Sequence, residues 1–95
     1  MFIDINNIDD IDNYLVNNEV MLLKFDIKDS KYNNYFSSLD LKIVNITDPE
    51  IIQFYDIDVL PTILVYKNKN LLTNIEGFHT KTELLKKIMN IINNI

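Results

Sequence analysis

The sequence has 95 residues, which is enough for one domain and too few for two, so we expect a single domain over residues 1–95. Its 47% hydrophobic and 24% charged residues are typical of a folded globular chain, and a net charge of -5 without arginine excludes the basic stripe that a nucleic-acid backbone requires. Cysteine is absent, which excludes disulfides, zinc–thiolate sites, iron–sulfur ligation and any thiol chemistry by this chain.

The first third of the sequence predicts a strand, a helix and a second strand. Phe2 to Ile5 alternates apolar and polar residues, as a short strand does. Asn6 or Asn7 can cap the following helix, which we expect to end at Asn17-Asn18. Val20 to Ile27 is a short and strongly apolar run, typical of a strand that is buried on both faces of a sheet.

The middle third continues this alternation. Tyr32 to Leu39 has room for about two helical turns, and Leu41 to Ile46 predicts a third strand. Asp48-Pro49 is a strong helix start, because the aspartate caps free amides and a proline at the first helical position loses no hydrogen bond. We expect that helix to end near Asp56.

The next segment predicts a hairpin. Val59 to Tyr66 and Leu71 to Glu76 are β-rich runs, and the turn between them contains Asn68 and Asn70, either of which can take a positive φ. Pro61 cannot donate a ladder hydrogen bond, which places it where the first of these strands begins.

A final helix is predicted after Gly77, which breaks the preceding strand. Thr80 and Glu83 form a capping box for this helix. Its apolar positions share one face and comprise Leu84, Leu85, Ile88, Ile91, Ile92 and Ile95. The predicted order is therefore βαβαβαββα, an α/β arrangement in which a mixed central sheet has helices on both faces.

The sequence also bears on location and source. Its first residues lack the basic region and apolar core of a secretion signal, and no apolar run approaches the roughly 20 residues that cross a bilayer. We therefore expect an intracellular, cytoplasmic protein that does not contact membranes. The abundance of Ile and Asn is typical of AT-rich coding, which favours a source such as a large DNA virus or an AT-rich protist.

The residues around Pro61 resemble a known family. The order of elements, Val59 to Asn68 (VLPTILVYKN), and Asn45 to Asp48 (NITD) leading into a short helix closely resemble the thioredoxin family over nearly the whole chain. The resemblance implies a thioredoxin-like fold and a cis bond between Leu60 and Pro61. It also implies that the backbone beside this proline pairs with an extended substrate peptide.

The same alignment shows where the chain departs from that family. The positions of the Cys-x-x-Cys redox motif hold Ser30, Lys31, Tyr32 and Asn33. Asp29 replaces the usual tryptophan before the motif, and Lys24 replaces a buried acid that assists proton transfer. Because serine and asparagine cannot supply a thiolate, disulfide exchange is excluded. We expect a redox-inactive chain that is not an enzyme and holds neither cofactor nor metal.

Ser30 has two interpretations. As a nucleophile it needs a base and an oxyanion hole, and His79, the single histidine, lies on a loop that the family brings near this position. As a helix cap it needs only a free backbone amide, and we favour this interpretation. A glutathione-type site, which this fold sometimes forms near such a serine, is disfavoured because no arginine is present for the carboxylates of the tripeptide.

Lys24 interrupts the apolar run of the second strand. A lysine in such a strand either extends its amine to the surface or pairs with an acid such as Asp26 or Glu76. Among the aromatic residues near the motif positions, we expect one to be exposed and the others to fill the core. These residues are Tyr32, Tyr35 and Phe36.

Two classes of function follow. The first is a protein- or peptide-binding module, built from three loops beyond the carboxyl ends of the parallel strands, that uses Asp29, Tyr32, Leu60, Pro61 and Phe78. The second is a structural or assembly component that keeps the fold as a scaffold and self-associates through its Ile-rich last helix. The partner is another protein or peptide in the first class and a further copy of this chain in the second.

Overall fold

The computed structural model of the chain describes residues 2–5, 7–36 and 39–94, and within them five strands form one sheet. The strands are β1 (Phe2–Asp4), β2 (Val20–Phe25), β3 (Lys42–Ile46), β4 (Thr62–Lys67) and β5 (Asn70–Glu76). The α-helices of the same residues are α1 (Ile8–Asn17), α2 (Pro49–Phe54) and α3 (Lys81–Asn93). A 3₁₀ turn covers Lys31–Asn34.

The sheet is mixed, as predicted. Its strand order is β1-β3-β2-β4-β5, in which β1, β3 and β2 run parallel and β4 and β5 pair antiparallel. The central strand β2 therefore has a neighbour on each side, and its Lys24 is in register with Asn45 on β3 and Ile63 on β4. The carboxyl ends of β2 and β3 meet at one edge of the sheet, where β4 begins and β5 ends.

Helices cover both faces of the sheet, which confirms the predicted architecture. The cluster buried beneath α1 and α2 comprises Ile5, Ile11, Met21, Leu23, Phe25, Val44, Ile46, Ile51 and Leu64. The cluster on the other face, beneath α3 and the 3₁₀ turn, comprises Leu22, Tyr32, Phe36, Ile43, Ile63, Val65, Ile75, Leu84 and Ile88. Successive residues of β2 fall into opposite clusters because strand side chains alternate between faces. Each buried aliphatic side chain contributes about 1.5 to 3 kcal/mol of transfer free energy.

The three α-helices begin where capping residues predict. The side-chain oxygens of Asn7 and Asp48 each accept a hydrogen bond from the amide two residues later, both at 2.9 Å. Thr80 Oγ1 accepts from the amide of the third residue after it at 3.2 Å, as in a capping box. Asn6, the alternative cap for α1, and Ile95, the last apolar position assigned to α3, lie outside the described residues.

The helix of two turns predicted over Tyr32 to Leu39 is wrong at its start, because a short 3₁₀ turn covers Lys31–Asn34. Ser37 and Ser38, within that prediction, lie outside the described residues. The amide of Asn33 donates to the carbonyl of Ser30 at 3.1 Å, and the amide of Tyr35 donates to that of Tyr32 at 3.0 Å. These bonds span three residues, as in a 3₁₀ helix. Asn33 and Asn34 favour such a turn over an α-helix, since asparagine side chains compete with helical backbone hydrogen bonds.

Two strand boundaries differ from the prediction by two or more residues. β2 ends at Phe25 and not at Ile27, although the amide of Asp26 still donates to the carbonyl of Ile46 at 3.0 Å. β4 begins at Thr62, directly after Pro61, because a proline has no amide to contribute to the ladder.

The hairpin turn between β4 and β5 is made by Asn68 and Lys69, whose φ angles are 51° and 71°. Asn68 is thus one of the two residues predicted to take a positive φ. The alternative, Asn70, is the first residue of β5. Two successive residues with positive φ match the right-handed twist of the strands that they join.

Candidate functional site

Three loops that are distant in sequence meet at the edge of the sheet where β2 and β3 end. The amide of Gly77, after β5, donates to the carbonyl of Pro61, before β4, at 2.8 Å. The hydroxyl of Tyr32, in the 3₁₀ turn, lies 3.1 Å from the carbonyl of Gly77. The loop after β2, the segment before β4 and the turn after β5 are therefore joined by hydrogen bonds.

Ser30 caps the 3₁₀ turn. Its Oγ accepts a hydrogen bond from the amide of Tyr32 at 3.2 Å, and the residue is 7% exposed. His79 has other partners, since Nδ1 lies 3.1 Å from the carbonyl of Gly77 and Nε2 lies 3.3 Å from Nζ of Lys87. The cap interpretation of Ser30 is confirmed. Within the described residues, the serine–histidine contact that the nucleophile interpretation requires is not formed.

Tyr32 is buried, which corrects its predicted place among the residues that face a peptide. It is 1% exposed, and its ring packs against those of Tyr35 and Phe36 at centroid distances of 4.9 and 6.4 Å. Its hydroxyl accepts from the amide of His79 and donates to the carbonyl of Gly77 or of His79. The ring belongs to the buried cluster on this face of the sheet. Burial raises the pKa of Tyr32 above its ordinary value of 10.0, so the hydroxyl keeps its proton at neutral pH.

Phe78 is exposed beside Tyr32. It is 67% exposed, and its ring meets that of Tyr32 edge to face, at a centroid distance of 5.5 Å and an angle of 83°. The preceding Gly77 has a φ of +80°, a conformation that glycine adopts without strain. A Cβ at this position would meet no atom within 4 Å, so the backbone conformation and not the space requires the glycine. The ring of Phe78 therefore contacts Tyr32 on one side and is open to solvent on the other.

Leu60 presents both its backbone and its side chain at this edge. The peptide bond between Leu60 and Pro61 is cis, and Leu60 is 37% exposed. Hydrogen bonds fix the backbone on both sides of Leu60. The carbonyl of Val59 accepts from Thr62 Oγ1 at 2.5 Å, and the carbonyl of Pro61 accepts from the amide of Gly77. Within the described residues, neither the amide nor the carbonyl of Leu60 takes part in a hydrogen bond. Both groups are available to an extended chain laid beside them.

A cleft of about 380 Å³ adjoins Leu60, and we call it the Leu60 cleft. Its apolar wall is formed by Ile27, Ile52, Ile57 and Leu60, and its acidic residues are Asp26, Asp56 and Asp58. Ile27 is 60% exposed although it lies only two residues after the buried end of β2 at Phe25. Ile27 was predicted to belong to the strand and was therefore missed as a site residue. An apolar residue placed just beyond the carboxyl end of a parallel strand was the available signal.

Lys24 is buried beneath the 3₁₀ turn, so the alternative in which its amine reaches the surface is wrong. Its Nζ lies 2.9 Å from Oδ2 of Asp26, 3.0 Å from Oδ1 of Asn33 and 3.1 Å from Oδ1 of Asn45. Asn45 in turn donates to Oδ1 of Asp4 at 2.8 Å. Burial lowers the pKa of Lys24 from 10.5, and the hydrogen bond and charge of Asp26 oppose that shift. Pairing with Asp26, the other predicted alternative, is confirmed.

Asp29 is not brought to the Leu60 cleft. It is exposed, with a φ of 60°, and it lines a separate polar cleft of about 470 Å³ together with Lys28, Asn33 and Asn45. Because Asn33 and Asn45 also bind the amine of Lys24, this second cleft lies against the buried lysine network. Of the five residues predicted to bind a peptide, Leu60 and Phe78 are exposed at this edge of the sheet. Tyr32 and Pro61 are buried, and Asp29 lines the other cleft.

In the part of the chain that the structure describes, no group of three or more His, Cys, Asp or Glu side chains is arranged to hold a metal ion. None of the described helices is long and apolar enough to span a bilayer.

Comparison with known proteins identifies the fold. No protein-family model matches the sequence, and a search of curated proteins gives no match. Among solved structures, the oxidized mitochondrial thioredoxin 3 from Saccharomyces cerevisiae is similar with a TM-score of 0.79 and 19% identity, over 94% of this chain and 94% of that chain. Thioredoxin from Trypanosoma brucei brucei gives 0.76 and 14% identity, over 98% and 92%. Oxidised thioredoxin from Plasmodium falciparum gives 0.74 and 16% identity, over 95% and 97%.

These likenesses show that the chain has the thioredoxin fold, which confirms the predicted fold class. Each similarity covers nearly the full length of this chain and of the thioredoxin with which it is compared. The chain itself has no cysteine, so it has no thiol of its own with which to exchange disulfides.

Proposed function

We propose that the protein is a redox-inactive binding module that holds an extended segment of another protein beside Leu60 and Pro61. The observation that carries this proposal is the exposed Leu60, whose amide and carbonyl are unpaired within the described residues while an apolar cleft adjoins its side chain. An extended peptide gains affinity from main-chain hydrogen bonds to such an edge and gains specificity from pockets for its alternate side chains.

Two exposed apolar side chains support this proposal. Ile27 and Phe78 are 60% and 67% exposed and belong to the two loops that meet the Leu60 segment. The turn that carries Phe78 is already fixed by the hydroxyl of Tyr32, so binding a peptide would order little additional structure. The surface is the size of a peptide and not of a protein interface, so we expect an affinity on the order of micromolar.

The second candidate function is assembly through α3. The structure disfavours it, because the apolar stripe of this helix is used within the chain. Leu84 and Ile88 are buried, and Leu85, Ile91 and Ile92 pack against the same cluster. Met89, at 37% exposure, is the large apolar side chain of α3 that remains open among the described residues.

Amide shift mapping tests the proposal. The probe is a peptide selected against the protein from a displayed library of random linear peptides, titrated into ¹⁵N-labelled protein. We expect the shifts to cluster on Ile27, Leu60 and Phe78. Leu60→Asp should abolish binding of this peptide, whereas the control Met89→Asp, on the exposed side of α3, should leave its affinity unchanged.

Two results would overturn the proposal. Shifts confined to α3 would place binding on the helix, and unchanged affinity in Leu60→Asp would show that the edge beside Pro61 is not used. Sedimentation of the unliganded protein then tests the assembly function, which predicts a dimer that Met89→Asp dissociates. The ¹⁵N spectrum of each variant shows whether it is folded.

A further inference from the structure

The Leu60 cleft is acidic as well as apolar. Asp56 and Asp58 line it beside Ile27, Ile57 and Leu60, and none of its described lining residues is a lysine. Asp26, the third acid, is already paired with Lys24. Asp56 and Asp58 are exposed, and neither forms an ion pair with another described residue. Their charges are therefore uncompensated at the rim of the apolar wall.

The same two aspartates line a second cleft, on the side of β4 and β5. This cleft has a volume of about 290 Å³ and adds Glu76 and Leu71 to the shared residues Asp56, Ile57 and Asp58. It too has no lysine among its lining residues. The acidic side chains beside Leu60 therefore also border the neighbouring cleft.

The segment that carries these acids is held in place by its backbone. Asp56 has a φ of 55°, its amide donates to the carbonyl of Gln53 at 3.0 Å, and the amide of Ile57 donates to that of Ile52 at 3.2 Å. Lys28 follows Ile27 in the sequence, but it lines the polar cleft with Asp29 and not the Leu60 cleft. The backbone at Asp56 and Ile57 is thus ordered before any partner binds.

We propose, on the basis of the function proposed above, that the partner segment is basic as well as apolar. Its backbone pairs with Leu60, an apolar side chain packs between Ile27 and Leu60, and a neighbouring Lys or Arg lies against Asp56 and Asp58. Charge complementarity supports this choice over an acidic or neutral segment, because the cleft has unpaired carboxylates and the whole chain carries a net charge of -5.

A matched set of peptides tests the inference. Short, dye-labelled peptides alternate Val with Lys, with Gln or with Glu, and fluorescence anisotropy measures their affinities. We expect the order Lys, Gln, Glu, with the Lys peptide about three- to tenfold tighter than the Gln peptide and more sensitive to salt. Asp56→Asn with Asp58→Asn should remove most of that preference and leave the affinity for the Gln peptide unchanged.

A control variant must distinguish the local effect of Asp56 and Asp58 from the effect of the net charge of the chain. Glu19→Gln with Asp40→Asn removes the same number of charges from exposed positions before β2 and β3, at the opposite end of the parallel strands. We expect this variant to keep the preference for the Lys peptide. Equal losses in the two double variants would overturn the inference, because they would show attraction to net charge alone.

The failure of this inference is distinguishable from failure of the proposed function. If all three peptides bind equally and shift the amides of Ile27 and Leu60, the groove is used and the basic preference is wrong. If none of the peptides shifts those amides, and the library-selected peptide does not shift them either, the proposed function fails as well.

Discussion

Lys24 and Asp26 form a buried ion pair, with Nζ 2.9 Å from Oδ2 and side-chain exposures of 0% and 1%. Lys24 lies on β2, and Asp26 is the first residue after this strand. Because they are two positions apart, their side chains project to the same face of the sheet. Asn33 and Asn45 complete the hydrogen bonding of the amine. Moving a charged group from water into the protein interior costs several kcal/mol unless the charge is paired. The burial of Lys24 and Asp26 therefore depends on their contacts with each other and with Asn33 and Asn45.

Asp26→Asn should strongly destabilise the protein. The asparagine keeps the side-chain volume but leaves the ammonium of Lys24 buried without its counter-charge, at an expected cost of about 3 to 5 kcal/mol. Lys24→Met combined with Asp26→Asn should recover most of the loss. Urea unfolding followed by circular dichroism measures both free energies, and additive effects in the double-mutant cycle would contradict the pairing.

The same pair should make stability depend on pH in the alkaline range. Burial lowers the pKa of Lys24 below its unfolded value of 10.5, so the unfolded chain binds this proton more tightly than the folded chain does. The contribution of Lys24 to stability should therefore increase with pH, from its folded pKa up to 10.5. Unfolding of the wild type and of Lys24→Met across this window isolates the effect, because tyrosine ionisation is common to both proteins. A constant difference between them would count against the lowered pKa.

A thiol at position 33 should be acidic. Asn33 Oδ1 lies 3.0 Å from Nζ of Lys24, so the thiolate formed in Asn33→Cys would lie next to an ammonium. We expect a thiol pKa below the ordinary value of about 8.5. The pH dependence of alkylation by iodoacetamide measures it. Adding Lys24→Met should raise the pKa again, and the same pKa in both backgrounds would show that the lysine does not act on this position.

Loss of the Tyr32 hydroxyl should loosen the turn at Phe78. Tyr32→Phe removes the hydrogen bonds to Gly77 and His79 at an expected cost of about 1 kcal/mol. The amide of His79 should then exchange faster with deuterium than in the wild type. Tyr35→Phe, at a partly exposed tyrosine in the same aromatic cluster, is the control and should not change this exchange rate.

The wild-type protein should not reduce disulfides. Its rate of insulin reduction in the presence of dithiothreitol should equal that of the reductant alone, because no residue of the chain can form the mixed disulfide. Bovine serum albumin with blocked thiols serves as the protein control. Turnover above that control would show a chemistry that this chain's side chains do not account for.

Local sequence signals predicted most of the fold. Asp48-Pro49 and Thr80 with Glu83 marked helix starts that the structure confirms through direct capping bonds. The turn after Ser30 could not be predicted, because aromatic residues at helical spacing do not distinguish an α-helix from a 3₁₀ turn filled by Tyr32.

The site was predicted less completely because its chemistry depends on contacts between distant residues. Lys24 was expected either at the surface or in an ion pair, and only the folded structure shows that its side chain is buried beside Asn33 and Asn45. Tyr32 and Phe78 were both assigned to the peptide-binding surface, yet Tyr32 is buried and Phe78 is exposed. The loops that decide this difference meet only in the folded chain.

The short connection between β2 and β3 also bears on the speed of folding. Sheet neighbours separated by few residues close small loops, whose entropic cost is low, and the hairpin of β4 and β5 is more local still. The pairing of β2 with β4 joins residues as far apart as Val20 and Lys67, so it closes a long loop. The pairing of β1 with β3 joins Phe2 to Ile43 and closes a loop of similar length. These two long-range pairings, and not the local hairpin, should therefore limit the folding rate.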